Sequence, residues 1–359
     1  MKRIITCSDG TWNNPNITNE GVISPTNVFQ IKELIPSKSI TGIDQITFYD
    51  FGVGTDWFDR LAGGAFGIGI NKNIVDAYMH IVNHYEPGDE IYLFGFSRGA
   101  YTARSVAGLI RNSGLLTRDN EDKINVALDL YRRRDDASHP SAKEAIAFRR
   151  KYCHPEVKIK FIGVWDTVGP LGIPLKWFNK FNKELMNCQF HDVTLSRYIE
   201  NAYHAVSIDD HRKPYLPTLW KQQEDASKTG QVMEQMWFAG VHCDVGGSYR
   251  HHGLSDCALH WMIEKAKAVG LEFNDYKHIR PYPYDKMHNS MNLLYSLFGH
   301  KNRKIGNGLG YNELISQTAM KRWDNDIDNY QQKSNEYLLK FLFDGKRSMF
   351  ERIKRCFLY

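Results

Sequence analysis

Residues 91–104 read Ile91-Tyr92-Leu93-Phe94-Gly95-Phe96-Ser97-Arg98-Gly99-Ala100-Tyr101-Thr102-Ala103-Arg104. An apolar run of strand length meets a serine framed by glycines, and Ala100, Ala103 and Ala107 then recur at helical spacing. The Gly-x-Ser-x-Gly pattern describes a sharp strand-to-helix turn. Glycines two residues either side of the serine leave room for the strained backbone that lifts its Oγ out of the sheet. The bare pattern recurs by chance, so its weight comes from the strand before it and the helix, expected over Arg98 to Ile110, after it.

The same grammar continues in both directions. Upstream, Arg3 to Cys7 is a short β-branched strand ended by Asp9-Gly10, and a second run from Asp44 to Val53 ends at Gly54. An Asn/Pro-rich loop, Asn13 to Asn16, and a short helix over Thr26 to Leu34 lie between them. Ile74, Ala77, Tyr78, Ile81, Val82 and Tyr85 predict a helix closed by Pro87-Gly88-Asp89. Downstream, one strand over Val157 to Trp165 ends at Asp166 and another over Met233 to Val241 ends at His242. Between them a charged helical stretch, Asp119 to Tyr152, interrupted at His139-Pro140, predicts a cap-like insertion over about 115–155. This alternation predicts an α/β fold with a mainly parallel sheet flanked by helices. Past about residue 270 the periodicity weakens, leaving loops, a helical end at Asn335 to Phe343 and a basic amphipathic stretch, Met349 to Leu358. The expected organisation is a catalytic unit over 1–265 and an appendage or cap over 266–359, packed on that unit or beside it.

Composition narrows the function. The chain has 359 residues and a net charge of +5 with no long basic arm, which argues against a dedicated nucleic-acid binder. Its six cysteines are scattered without a Cys-x-x-Cys pair, so neither a disulfide framework nor a zinc knuckle is expected. Buried thiols in a reducing compartment are. The apolar stretch after Met1-Lys2-Arg3 stops at Cys7, too short for a secretory signal, and no run approaches the ~18 apolar residues of a spanning helix. The expectation is a soluble or peripheral protein, cytoplasmic in the producing cell, with any export independent of a signal peptide.

A serine hydroxyl attacks only when a histidine takes its proton and a carboxylate orients that histidine. In this fold the order along the chain is Ser, Asp or Glu, then His, each at the carboxyl end of a strand. Ser97, Asp166 and His242 satisfy it. Other residues have two readings. His204 and His211 flank Ser207-Ile208-Asp209-Asp210, either a supporting loop or a polar turn. Asp244 either orients His242 or is a turn residue beside Gly246 and Gly247. His251 and His252, in a glycine-bounded loop, are expected to face solvent. For an oxyanion hole, the backbone N–H of Arg98 is the first donor. The second is placed at Asp9-Gly10-Thr11, on Gly10 or Thr11, which reads equally well as a plain turn. Asp9, His204, Asp210 and Asp244 are candidate supports.

Two rival chemistries each lack a central group. Asp-Gly-Thr after a strand also occurs in Mg²⁺-dependent phosphatases with an aspartate nucleophile two residues upstream, but that position is Cys7. The glycine-rich Gly63 to Gly69 lacks the Walker lysine and a complete dinucleotide fingerprint, and reads as an apolar loop bordering the site. No metal or organic cofactor is expected.

Together the motifs resemble a known family. Ser8-Asp9-Gly10-Thr11-Trp12-Asn13, Gly52-Val53-Gly54-Thr55, Pro87-Gly88-Asp89, the Ser97 segment, Val164 to Gly169, Tyr203-His204-Ala205, Asp209-Asp210-His211-Arg212 and Gly240 to Gly247 form one ordered set over about residues 2–265. The set is similar to the α/β-hydrolase domain family, long of unknown function, that includes the catalytic domains of type VI secretion phospholipase effectors. The resemblance implies a Ser-Asp-His lipolytic hydrolase whose triad falls on Ser97, Asp166 and His242. It implies a phospholipid or other ester substrate and a secretion-system or immunity partner. Phe66, Ile68 and Ile70 and the basic end around Lys354 and Arg355 either touch a membrane surface transiently or pack on the domain. The alternative is a catalytically silent lipid- or partner-binding domain of the same fold.

Overall fold

The apolar runs on both sides of Ser97 become strands of one sheet. The structure, a computed structural model, describes residues 1–10, 18–52, 66–133, 135–168, 193–291 and 299–330. Thr11, the 13–16 loop, Gly54, Gly63 to Ala65, the 170–190 stretch, Asn335 to Phe343 and Met349 to Leu358 with Lys354 and Arg355 lie outside the described residues, as do the side chains of Phe66, Ile68 and Ile70. Among the described residues no helix is long and apolar enough to cross a membrane.

The main sheet contains β1 (Arg3–Ser8), β2 (Gln45–Asp50), β3 (Glu90–Phe96), β4 (Ile159–Trp165), β5 (Ile199–Ser207), β6 (Val232–Phe238) and β7 (Glu313–Ile315). Their order is β2-β1-β3-β4-β5-β6-β7, and every pairing is parallel. The helices are α1 (Asn27–Leu34), α2 (Phe66–His84), α3 (Arg98–Ser113), α4 (Ile124–Arg132), α5 (Lys143–Tyr152), α6 (His242–Gly246), α7 (Gly253–Ala268) and α8 (Gln317–Asp324).

Burial on both faces explains why β3 reads as a continuous apolar run rather than an alternating one. Ile91 and Leu93 enter a core with Tyr78, Ile81, Val106 and Ile110 of α2 and α3. Tyr92, Phe94 and Phe96 enter the opposite core with Val28 and Ile31 of α1 and Leu259, Met262 and Ile263 of α7. Chain order reverses between β1 and β3, so the crevice at their carboxyl ends is the place where such a sheet gathers functional groups.

The charged stretch is broken earlier than Pro140 alone predicts. A 3₁₀ turn, Arg118–Lys123, leads into α4, which stops at Arg132, and α5 starts at Lys143. Ser113 Oγ donates to the Ala127 carbonyl at 2.7 Å, and the Tyr131 ring lies against Gly108. The insertion therefore packs along the far half of α3, its Gly108 contact about 16 Å along the helix from Ser97.

The described residues after 265 are woven into the same body. β7 pairs with Gln235 to Trp237 of β6. Ile305, Ile315, Ala319 and Tyr330 join Val206, Ile208 and Trp237 in a third core. Leu271 and Ile279 pack into the α1/α7 core. Weak periodicity hid this, because a three-residue strand and isolated apolar anchors carry no detectable period.

Candidate active site

Ser97 sits at φ 58° and ψ −118°, between β3 and α3. This region is costly for a non-glycine residue and persists only where the surroundings hold it. The neighbouring glycines provide the space. A Cβ on Gly95 lies 2.4 Å from the Gly99 carbonyl oxygen, and one on Gly99 lies 2.0 Å from the Ser8 carbonyl oxygen, distances no real side chain tolerates. The Ser97 N–H donates to the Trp165 carbonyl at 3.0 Å, tying the elbow to the end of β4.

Asp166 follows β4 at once, and its N–H donates to the Ala205 carbonyl at 2.7 Å. Its φ of 39° is one that aspartate tolerates better than most residues. His242 opens the short helix after β6. The imidazole lies between the two: Nε2 is 2.8 Å from Ser97 Oγ, and Nδ1 is 2.5 Å from Asp166 Oδ2. With Asp166 ionised, the partners assign the proton to Nδ1, which donates to the carboxylate, and leave Nε2 to accept from the hydroxyl. Phe96 lies 4.6 Å from the imidazole and Tyr215 packs edge-on at 5.0 Å, which holds the ring in place.

Electrostatics favours a neutral base beside an anionic carboxylate. Burial lowers the pKa of His242, and the adjoining Asp166 only partly restores it. Burial opposes ionisation of Asp166, but Arg303 and His242 outweigh it and hold the carboxyl well below the usual range. Arg303 grips it with both nitrogens, Nη1 to Oδ1 at 2.5 Å and Nη2 to Oδ2 at 3.0 Å, and the Ser207 N–H adds a third donor at 3.0 Å.

The candidate supports have separable places. Asp210 accepts from the His242 backbone N–H at 3.2 Å and pairs with Arg212 at 2.7 Å, so it anchors the main chain that carries the imidazole. His204 is fully buried, and burial with the nearby Arg104 cation pushes its pKa down to about 3. Its neutral Nε2 accepts from the Thr167 N–H at 3.1 Å, securing the residue after Asp166. Asp244 is engaged by other groups than the His242 ring. It accepts from the Val241 N–H at 3.0 Å and meets His288 Nδ1 at 2.6 Å. Asp9 is buried and accepts from the hydroxyls of Thr26 and Tyr49. His211 stacks on His300 at 4.6 Å.

The two expected second donors have different places. The Gly10 N–H is engaged by Asp9 Oδ1 at 2.7 Å, because the carboxylate folds back onto the next peptide in a tight turn. Thr11 lies outside the described residues. Arg98 stands in the first turn of α3, whose N-terminal amides concentrate positive partial charge beside Ser97.

Arg303 escaped the sequence reading, since Lys301-Asn302-Arg303-Lys304 looks like an ordinary basic run in an aperiodic tail. Gln235 escaped it as well. This buried mid-strand amide sits 3.3 Å from His204 Nδ1 and accepts from the Trp220 N–H at 2.8 Å, and a polar residue inside an apolar strand was the available signal. Among the described residues, no group of three or more His, Cys, Asp or Glu side chains is arranged to hold a metal ion.

A family model described as T6SS, Phospholipase effector Tle1-like, catalytic domain matches residues 2–265. The chain belongs to this family. An uncharacterized protein of Saccharomyces cerevisiae is 30% identical over 250 residues, which cover 61% of this chain and 34% of that protein. The chain thus spans about a third of that relative's length. Among solved structures, an uncharacterized protein from Pseudomonas aeruginosa is 16% identical with a TM-score of 0.42, over 77% of this chain and 48% of that one. The Tle1 effector bound to the VgrG spike of the type 6 secretion system is 11% identical with a TM-score of 0.43, over 77% of this chain and 75% of that one. Ser97, Asp166 and His242 all fall within the Tle1-like catalytic segment, whereas Arg303 lies beyond it.

Proposed function

We propose that the chain is a serine ester hydrolase that cleaves acyl esters of phospholipids. The observation that carries this reading is the unbroken chain from Ser97 Oγ through His242 to Asp166, set at the carboxyl edge of the sheet. Membership of the Tle1-like phospholipase effector family supplies the substrate class. In the proposed reaction, Ser97 Oγ attacks the ester carbonyl carbon while Nε2 of His242 takes its proton. Asp166 stabilises the resulting imidazolium and fixes its tautomer. Amides in the first turn of α3, Arg98 foremost, stabilise the tetrahedral oxyanion. The imidazolium then protonates the departing alcohol, and water activated by the same histidine releases the fatty acid from Ser97. A secretion-system partner belongs to the same proposal, and rests on the family alone.

The test is mass spectrometry of a phospholipid extract incubated with wild type and with Ser97→Ala. Wild type releases free fatty acid and lysophospholipid, and loss of the nucleophile lowers turnover by roughly 10³-fold or more. Equal product from both proteins overturns the mechanism. A fluorophosphonate probe separates the silent-binding alternative, since folded wild type should carry one adduct at Ser97 and a binding module should carry none.

A further inference from the structure

Arg303 is buried and distributes all five guanidinium N–H donors around Asp166. Two go to the carboxylate. The others go to the carbonyls of Ser207 at 2.8 Å, Asp210 at 3.0 Å and Tyr215 at 2.7 Å. These carbonyls line the end of β5 and the loop after it, which also carries Asp210 and Arg212 beneath His242. A fork held at five points has one orientation, and a bidentate pair sets the plane of the carboxylate it grips. That plane aims Oδ2 at His242 Nδ1. Among the described residues, the charged groups that act on this pair include Arg303 on the Asp166 carboxylate and Arg212 and Asp210 on the His242 imidazole.

We propose that Arg303 is a positioning residue for the Ser97 reaction, orienting Asp166 and through it His242, so that the chain beyond 265 completes the active site. The inference rests on the catalytic reading of Ser97, Asp166 and His242. It differs from a merely structural role, in which Arg303 fastens the C-terminal region to the sheet and has no bearing on the imidazole.

Steady-state kinetics of the full chain on p-nitrophenyl butyrate decides between these. Arg303→Ala and Arg303→Lys are measured beside wild type and Ser97→Ala, with folding checked by circular dichroism. A misaimed triad costs kcat about 100-fold in the alanine variant and about 10-fold in the lysine variant, with KM changed by less than about twofold. Losing the cation also moves the acid limb of kcat/KM upward by about half a pH unit or more in Arg303→Ala, and added guanidinium ion restores part of its turnover. Should the alanine variant fail to fold, Arg303→Lys, which keeps the buried charge but not the fork, carries the kcat test alone. The proposal is overturned if a folded Arg303 variant keeps kcat within about threefold of wild type, or if a folded Arg303→Ala loses it with no shift of the acid limb and no guanidinium rescue. Wild-type turnover by Ser97→Ala sinks the catalytic reading and this inference together. An inactive Ser97→Ala beside a normal Arg303→Lys sinks this inference only.

Discussion

Two aspartate–histidine pairs share a stretch of chain, with His242 of one and Asp244 of the other two residues apart, and they are built almost alike. Asp166 holds His242 Nδ1 at 2.5 Å, and Asp244 holds His288 Nδ1 at 2.6 Å, with both carboxylates buried. Their free ends differ. Nε2 of His242 meets the Ser97 hydroxyl at 2.8 Å, whereas Nε2 of His288 is buried with no hydrogen-bond partner among the described residues, its ring stacked on Tyr249 at 3.8 Å. The carboxylates differ too. Asp166 is gripped on both oxygens by a guanidinium, while Asp244 accepts backbone N–H groups of Val241 and His288. A carboxylate–histidine pair is thus a common structural fastener. In the proposed mechanism it becomes a base relay where a strained turn delivers a hydroxyl to the second nitrogen.

The hardest blow to that contrast comes from replacing each aspartate by asparagine. Asp166→Asn leaves the geometry nearly unchanged but presents the wrong hydrogen-bonding group to Nδ1, and turnover should fall by about 10³ to 10⁴-fold with the fold intact. Asp244→Asn weakens the start of α6 and should cost about 1–3 kcal/mol of stability while leaving turnover within about tenfold. Similar kinetic losses from both substitutions, measured as kcat/KM on a soluble ester beside a thermal melt, erase the distinction.

The pH profile gives a milder test. His242 must be neutral to accept the proton from Ser97, and its pKa lies below the ordinary 6.5 because burial disfavours the imidazolium. Activity is therefore present above that pKa and lost as pH falls through it, so the acid limb of kcat/KM should have its midpoint below pH 6.5. Asp166 raises the imidazole pKa, so whatever activity Asp166→Asn retains should show a limb displaced further toward acid. A wild-type midpoint above 6.5 contradicts the electrostatic account of the site.

The smallest effect is expected at His288. Its Nδ1 bond to Asp244 is replaceable by an amide donor, so His288→Gln should change kcat/KM by no more than about twofold and leave fluorophosphonate labelling of Ser97 intact. A loss beyond about tenfold in a folded variant would give the second pair a part in the chemistry.

Ser97, Asp166 and His242 were legible before any fold was known because each is local in kind. A Gly-x-Ser-x-Gly turn, and a polar residue just after an apolar run, announce themselves by adjacency, and the parallel sheet then aligns those strand ends. Asp210 and His204 were half legible, visible as polar residues near a strand end but with roles that depend on which groups the sheet places opposite them. Asp-Gly-Thr does not reveal that the aspartate accepts from the N–H of its own successor.

Arg303 and the pairing of β7 with β6 had no local signature at all. Hydrophobic periodicity and turn chemistry arise from neighbouring residues, so the amino-acid order alone carried the α/β architecture, the elbow and the sequence Ser, Asp, His. The partner of a buried carboxylate is chosen by burial itself. Asp166 acquires its need for a cation only once the sheet has removed it from water, and the arginine that meets it arrives from 137 residues further along. Folding in three dimensions thus brings Arg303, from the stretch read as an appendage or cap, against the carboxylate of the candidate site.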